Sequence, residues 1–190
     1  MIANGTSRPS LLLLYHSHDG QTKKIAEKIA EILSSDLNCT LQDITRFPEN
    51  ELKNYQAVLI GAGLRYGYFN RKVLEFVNRH ADFLSVNPSA FFGVCLIARK
   101  PHKRTLENNV YLKKFFEKSK WKPPLIASIA GALLYPRYTW YDRFMISLIM
   151  RITGGETDTS KEIEFTDWTQ VQEFANDLKN ISFKNFNENN

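Results

Sequence analysis

The chain has 190 residues, 43% apolar and 24% charged, which fits one ordinary globular domain with a single sizeable core. Its two cysteines, Cys39 and Cys95, are too few for a disulfide framework and lack metal-ligand spacing, so neither a cysteine scaffold nor a metal site is expected. Twenty-five lysines and arginines against 20 carboxylates give a net charge of +5, a balance that favours acidic partners such as nucleic acid, anionic lipid or a carboxylate-bearing substrate.

Residues 1–9 read as a loose polar tail, and residues 10–182 as one domain. Ser10 to Tyr15 is a continuous apolar run, as in a strand buried on both faces. Leu11 to Leu14 is too short for a signal peptide, and no run reaches the roughly 18 apolar residues of a membrane span. Asp19-Gly20-Gln21-Thr22 breaks the strand, with Thr22 as a cap for a helix from about Lys23 to Ser35, where Ile25, Ile29, Ile32 and Leu33 recur at helical spacing. Thr40–Ile44 is a short second strand and Ala57–Ala62 a third, closed by Gly61 and Gly63. A helix follows through Val73, Phe76 and Val77 to about Phe83. Ala90–Ala98 is a fourth strand, Tyr111–Lys118 a helix and Leu125–Ala132 a fifth strand. Val171, Phe174, Ala175 and Leu178 mark a last helix, and residues 183–190 read as a frayed tail. Such alternation predicts an α/β fold: a doubly wound, five-stranded parallel sheet in flavodoxin-like order, with a long insert over 134–166 between the fifth strand and the last helix.

The loop His16-Ser17-His18-Asp19-Gly20-Gln21-Thr22 joins the first strand to the first helix. Unpaired N–H groups and the helix dipole favour an anion at such a site. Ser17 and Thr22 add hydroxyls, and Gly20 lets the backbone turn closely. The loop has neither a P-loop lysine nor a G-x-G-x-x-G fingerprint, so a monophosphate fits better than a nucleoside triphosphate or NAD. An ordinary capped turn is the alternative.

Beyond that loop, Gly61-Ala62-Gly63-Leu64-Arg65-Tyr66-Gly67, Ala98-Arg99-Lys100-Pro101, Ala130-Gly131-Ala132-Leu133, Tyr135-Pro136-Arg137-Tyr138, Trp140-Tyr141-Asp142-Arg143-Phe144, Gly154-Gly155-Glu156-Thr157 and Thr166-Asp167-Trp168 follow in order. With the loop they resemble the flavodoxin-type, quinone-dependent protoporphyrinogen IX oxidases of bacterial haem synthesis, from about Leu11 to Leu178. The resemblance implies an FMN cofactor, with its phosphate at Ser17, His18, Asp19, Gly20, Gln21 and Thr22. It implies that the ring lies between the loops holding Arg65, Tyr66 and Gly67 and those holding Ile97, Ala98, Arg99 and Lys100. Tyr66, Tyr68 and Phe69 are candidates to shield that ring. Two positions depart from the family: His16 stands where a hydroxyl is expected and His18 where an arginine is. A protonated histidine beside a phosphate restores part of that charge.

The implied activity is oxidation of protoporphyrinogen IX to protoporphyrin IX, with electrons passed to a respiratory quinone, menaquinone or ubiquinone. Arg65, Arg99 and Lys100 suit negative charge on a reduced flavin or on substrate carboxylates. Trp140–Ile152 reads as a largely apolar helix with one polar stripe at Arg143, Ser147 and Arg151. Arg137, Tyr138, Trp140, Tyr141, Arg143 and Arg151 are the substrate or membrane candidates. The alternative is a helix packed on the domain or on another copy. A peripheral position on the cytoplasmic face of the inner membrane follows, with no nucleic acid partner. His80 and His102 are weak candidates for a base, and no catalytic residue is assigned. The rivals are a flavodoxin-like electron carrier, an NAD(P)H–quinone reductase, and a membrane-surface module without FMN.

Overall fold

The computed structural model describes residues 8–134, 140, 144, 151, 158 and 162–188. Strand β1 (Ser10–His16) carries four consecutive leucines, all buried. Because successive side chains point to opposite faces, Leu11 and Leu13 enter one core layer and Leu12 and Leu14 the other. Helix α1 (Gln21–Leu33) covers the first layer with Ile25, Ile29 and Leu33. Strands β2 (Asn38–Asp43) and β3 (Ala57–Arg65) then pair in parallel on either side of β1.

The chain reverses at Tyr66-Gly67, both at positive φ (49° and 83°), so that β4 (Tyr68–Phe69) pairs antiparallel with the end of β3. Two consecutive left-handed residues are the mark of a type I′ hairpin turn. Helices α2 (Arg71–Arg79) and α3 (Ala81–Val86) follow, where the sequence predicts one helix. They part at His80, whose Nε2 lies 2.7 Å from Glu49 Oε2. Strand β5 (Ser89–Val94) pairs with β3, and β6 (Leu125–Ile129) with β5, with α4 (Val110–Lys118) between them in sequence. The second core layer is aromatic. Phe91 on β5 meets Phe69, Phe115, Phe116 and Trp121 at ring distances of 5.8, 5.0, 5.3 and 6.5 Å. On the other face its neighbour Phe92 meets Phe174 of the last helix, α5 (Trp168–Glu188), at 6.1 Å.

The sheet order is β2-β1-β3-β5-β6. The five expected parallel strands are present in flavodoxin-like order, with four differences in extent. Helix α1 begins at Gln21, so Thr22 lies inside it, buried, and Gly20 occupies the cap position. The fourth strand stops at Val94, and Leu96–Arg99 forms a 3-10 turn rather than its continuation. The fifth ends at Ile129. Beyond it β7 (Ala132–Leu134) pairs antiparallel with β8 (Glu162–Glu164), forming a separate ribbon at the base of the expected insert. Helix α5 runs to Glu188, through most of the expected frayed tail. Of the expected 140–152 helix, Trp140, Phe144 and Arg151 are helical, whereas Arg137, Tyr138, Tyr141 and Arg143 lie outside the described residues.

Candidate functional site

The strand order turns about β1: α1 leaves on one face of the sheet, and the helices after β3 pack on the other. Loops leaving the C-terminal ends of β1 and β3 therefore diverge and open a crevice between them. A cleft of about 290 Å³ occupies this place. Its walls are Ser17 to Asp19, Gln21 and Thr22 on the first loop, Gly63 to Gly67 on the second, and Val94 to Ile97 with Arg99 and Lys100 on the third. Tyr111, Gly131 and Ala132 complete it.

The first loop leaves a helix terminus open, an arrangement that suits an anion. Gly20 takes a left-handed φ of 92°, and a Cβ there would meet nothing within 4 Å. No side chain caps α1 and no acidic residue lies in its first turn, so the leading N–H groups keep their donors for a ligand. The Ser17 hydroxyl accepts from the Gly20 N–H at 3.0 Å and fixes the turn. Asp19 would repel a phosphate, but Arg65 Nη1 sits 3.2 Å from its carboxylate and offsets that charge. The terminus is tied to the far end of the chain: the Gln21 amide donates to Glu164 at 3.0 Å and to Thr166 Oγ1 at 2.9 Å, and Lys24 Nζ reaches Glu164 at 2.6 Å.

The third loop is braced from behind by two residues that carried no signal in the sequence. Arg104 Nε donates to the Ala98 carbonyl at 3.1 Å, and its Nη1 meets Asp167 at 2.8 Å. Asp167 in turn caps α5 by accepting from the N–H groups of Thr169 and Gln170 at 3.1 and 3.2 Å. The Arg104 guanidinium, followed by the Gln170 N–H, holds the Asp167 carboxyl below its ordinary pKa. Asn109, fully buried, donates to Ser128 Oγ at 2.8 Å and to Cys95 Sγ at 3.4 Å. Its carbonyl oxygen accepts from the N–H groups of Tyr111 and Leu112 and so caps α4. One amide thus fixes two cleft walls, Cys95 and Tyr111. Their partners lie far apart in sequence, which is why no local pattern shows them.

Of the expected cofactor residues, Ser17, His18, Asp19, Gln21, Thr22, Arg65, Tyr66, Gly67, Ile97, Arg99 and Lys100 line the cleft. Gly20 shapes the turn without lining it, and Ala98 is buried against Cys95 and Ala130 behind the wall. Tyr66 faces the cleft with Arg65 stacked 5.1 Å from its ring. Phe69 does not: its ring is packed in the core against Phe91 and Phe115. Tyr68 is exposed away from the cleft. His16, where a hydroxyl is expected, also misses it, and burial lowers the pKa of its imidazole; His18, where an arginine is expected, does line the cleft. Neither His80, paired with Glu49, nor His102 lines the cleft, and neither is placed to act as a base there. Among the described residues no group of three or more His, Cys, Asp or Glu side chains is arranged for a metal ion.

An uncapped helix terminus at one end of an aromatic and cationic crevice, at the switch point of a five-stranded parallel sheet, defines a flavodoxin-type protein. Residues 12–160 match the family model of the flavodoxin domain. A protoporphyrinogen IX dehydrogenase [quinone] of Escherichia coli strain K12 is 48% identical over 174 residues, spanning 91% of this chain and 96% of that one. A protein of the same name from Leishmania major is 46% identical over 172 residues, spanning 90% of this chain and 74% of its own. The structure of a short-chain flavodoxin associated with a bacterial microcompartment shares the fold, with a TM-score of 0.52 at 11% identity over 92% of this chain and 99% of the other. The chain belongs to the flavodoxin-domain family, on the branch that holds the quinone-dependent protoporphyrinogen IX dehydrogenases.

Proposed function

We propose that this protein oxidises protoporphyrinogen IX to protoporphyrin IX with FMN in the cleft and a quinone as electron acceptor. The observation that carries the reading is the cleft: an open, uncapped helix terminus with Ser17 and Thr22 at one end, and Tyr66, Arg65, Arg99 and Lys100 at the other. It fits FMN on this structure's own terms. The α1 N–H groups suit a phosphate, the space around Gly20 is open, and the apolar stretch from Val94 to Ile97 suits a flavin ring.

FMN supplies a two-electron acceptor next to which a porphyrinogen carbon–hydrogen bond can be broken. The chain's own residues then do the positioning. The α1 terminus and Ser17 bind the phosphate, Tyr66 covers one side of the crevice, and the Arg104–Ala98 bond holds the third loop in place. Arg99 and Lys100 at the lip suit the propionates of the substrate. The acceptor is an apolar membrane quinone, so the protein works as a peripheral protein at the cytoplasmic face of the membrane. In support, Trp140 and Phe144 are helical and 81% and 62% exposed, and Arg151 is exposed as well, the composition of an interfacial anchor. Among the described residues no helix is long and apolar enough to cross a membrane.

Anaerobic mixing of protoporphyrinogen IX with an excess of the FMN-loaded protein tests this, since the six-electron oxidation needs three two-electron acceptors. The flavin absorbance is expected to bleach as porphyrin fluorescence appears, and a soluble quinone is expected to restore it. A flavin that stays oxidised with fresh substrate refutes the reading and leaves an electron carrier or an NAD(P)H–quinone reductase, which NADPH in place of the porphyrinogen separates.

A further inference from the structure

The net charge of +5 is not spread over the molecule. Between Arg99 and Lys122 nine lysines and arginines stand against two carboxylates, whereas the rest of the chain holds 16 against 18. This strip begins on the cleft's own third loop, where Arg99 and Lys100 line the wall, and continues through His102 and Lys103 into α4. On α4 the inner face, Leu112, Phe115 and Phe116, is buried in the core, so Lys113, Lys114 and Lys118 project outward with Glu117. Lys120 and Lys122 prolong the exposed row past the helix end. None of the seven lysines of the strip has a carboxylate within ion-pair distance among the described residues, whereas lysines on the opposite face are paired: Lys23 with Glu27, Lys24 with Glu164, Lys28 with Glu31 and Lys179 with Asp36. Tyr111, at the start of α4, is itself a cleft wall, so the basic row starts at the mouth of the site and runs about 14 Å along the helix.

We propose that the strip from Arg99 to Lys122 is a docking surface for an anionic lipid bilayer. It supplies the long-range attraction that holds the cleft mouth against the membrane, where an apolar quinone resides. The inference rests on the quinone-dependent reading for its purpose, but its physics is separate. A row of ammonium groups on one face is drawn to a negatively charged leaflet, the attraction grows with each lysine near the surface, and salt screens it. The exposed aromatics Trp140 and Phe144 would add insertion once the surface is reached, but they carry no preference for headgroup charge.

The experiment is sedimentation of the full-length FMN-loaded protein with vesicles of phosphatidylcholine alone, or of phosphatidylcholine and phosphatidylglycerol in equal parts, at low and high salt. Three proteins are compared: wild type, a Lys113→Gln/Lys114→Gln/Lys118→Gln variant, and a Lys23→Gln/Lys28→Gln/Lys53→Gln control with the same loss of net charge elsewhere. Wild type and control are expected to bind the anionic vesicles, to ignore the neutral ones and to release at high salt. The α4 variant should bind roughly 100-fold more weakly, the summed effect of three lysines at a charged surface.

Equal binding by the α4 variant and wild type overturns the proposal. So does equal loss in the control, which makes net charge rather than the strip the cause. Equal binding of wild type to neutral vesicles overturns it in favour of the aromatic face, and no binding to either vesicle overturns it in favour of an acidic protein partner. Thermal melting checks that the variants fold. Porphyrinogen oxidation with a water-soluble quinone, run on the same samples, reports on the proposed function alone. Its failure would leave the vesicle result standing.

Discussion

Gly63 stands where β3 passes beneath the first turn of α1. A Cβ built there falls 2.8 Å from Thr22 Oγ1 and 3.6 Å from the His16 carbonyl oxygen. Ordinary contact begins near 3.4 Å, so the hydroxyl must retreat by several tenths of an ångström. Strand β3 cannot yield, because Gly63 is registered to Val94 on β5 and its neighbour Ala62 to His16 on β1. Thr22 is 3% exposed and its open side is the cleft, so a hydroxyl that turns away from Gly63 moves into the space proposed for the cofactor. The strain therefore falls on the first turn of α1, the part proposed to hold the FMN phosphate. Overpacking of this kind costs about 1–3 kcal/mol, and if it is all expressed on the cofactor a Gly63→Ala substitution weakens FMN binding about 5- to 150-fold.

Titration of the apoprotein with FMN, followed by quenching of flavin fluorescence, measures this directly. A Thr22→Ala substitution removes the colliding oxygen. In that background Gly63→Ala should cost far less than it does alone, and the difference is the coupling energy of the pair. An unchanged FMN affinity in Gly63→Ala would refute the reasoning. So would a loss of the same size with and without Thr22, because the strain would then not be passing through the helix turn.

Three further outcomes follow from the same geometry. Tyr66 sits at φ 49°, which costs a non-glycine residue about 1 kcal/mol, so Tyr66→Gly should leave the apoprotein's Tm unchanged or raised while weakening FMN binding; a lowered Tm together with full affinity contradicts the assigned role. Asn109→Ala removes the α4 cap and strands the partners of a buried amide, and a loss of about 2–4 kcal/mol in urea unfolding is expected. Asp167→Asn should lower stability at neutral pH by about 0.5 kcal/mol through the lost charge opposite Arg104, because asparagine still caps the helix. Because Arg104 holds the native carboxyl below its ordinary value, its contribution is complete above the unfolded-state pKa of about 3.9 and fades as pH falls through the lowered native value. The stability curves of wild type and Asp167→Asn should therefore run parallel from neutral pH down to about 4 and converge below it. A gap that persists unchanged in stronger acid would mean that the charge of Asp167 is not what matters.

What the sequence revealed and what it hid divide along one physical line. Leu11 to Leu14 is legible because a run with no polar side can only be a strand covered on both faces, and that requires helices on both. The proposed anion seat is legible because its parts, Ser17, Gly20 and Thr22, are contiguous. The end of β5 was not. Ala90 to Ala98 is apolar throughout, and the strand stops at Val94 because its neighbour β6 ends at Ile129, information no local window contains, and the Cys95 carbonyl then accepts from the Ala98 N–H in a 3-10 turn. The split between α2 and α3 is of the same kind, since His80 answers to Glu49. Tyr66 was read as an aromatic, but its left-handed backbone is imposed by the pairing of Arg65 with Tyr68. The groups that aim the cleft, Arg104 and Asn109, act on residues up to 63 positions away. Pattern therefore located the loop proposed to seat the phosphate, while the walls proposed to flank the flavin ring are set by hydrogen bonds that exist only once the sheet has closed. Ligand-free protein should accordingly lose protection from hydrogen exchange in Leu96 to Lys100 when Arg104→Ala cuts the bond to Ala98, with α1 and its loop unaffected. Equal protection of Leu96 to Lys100 in wild type and variant would place the brace elsewhere.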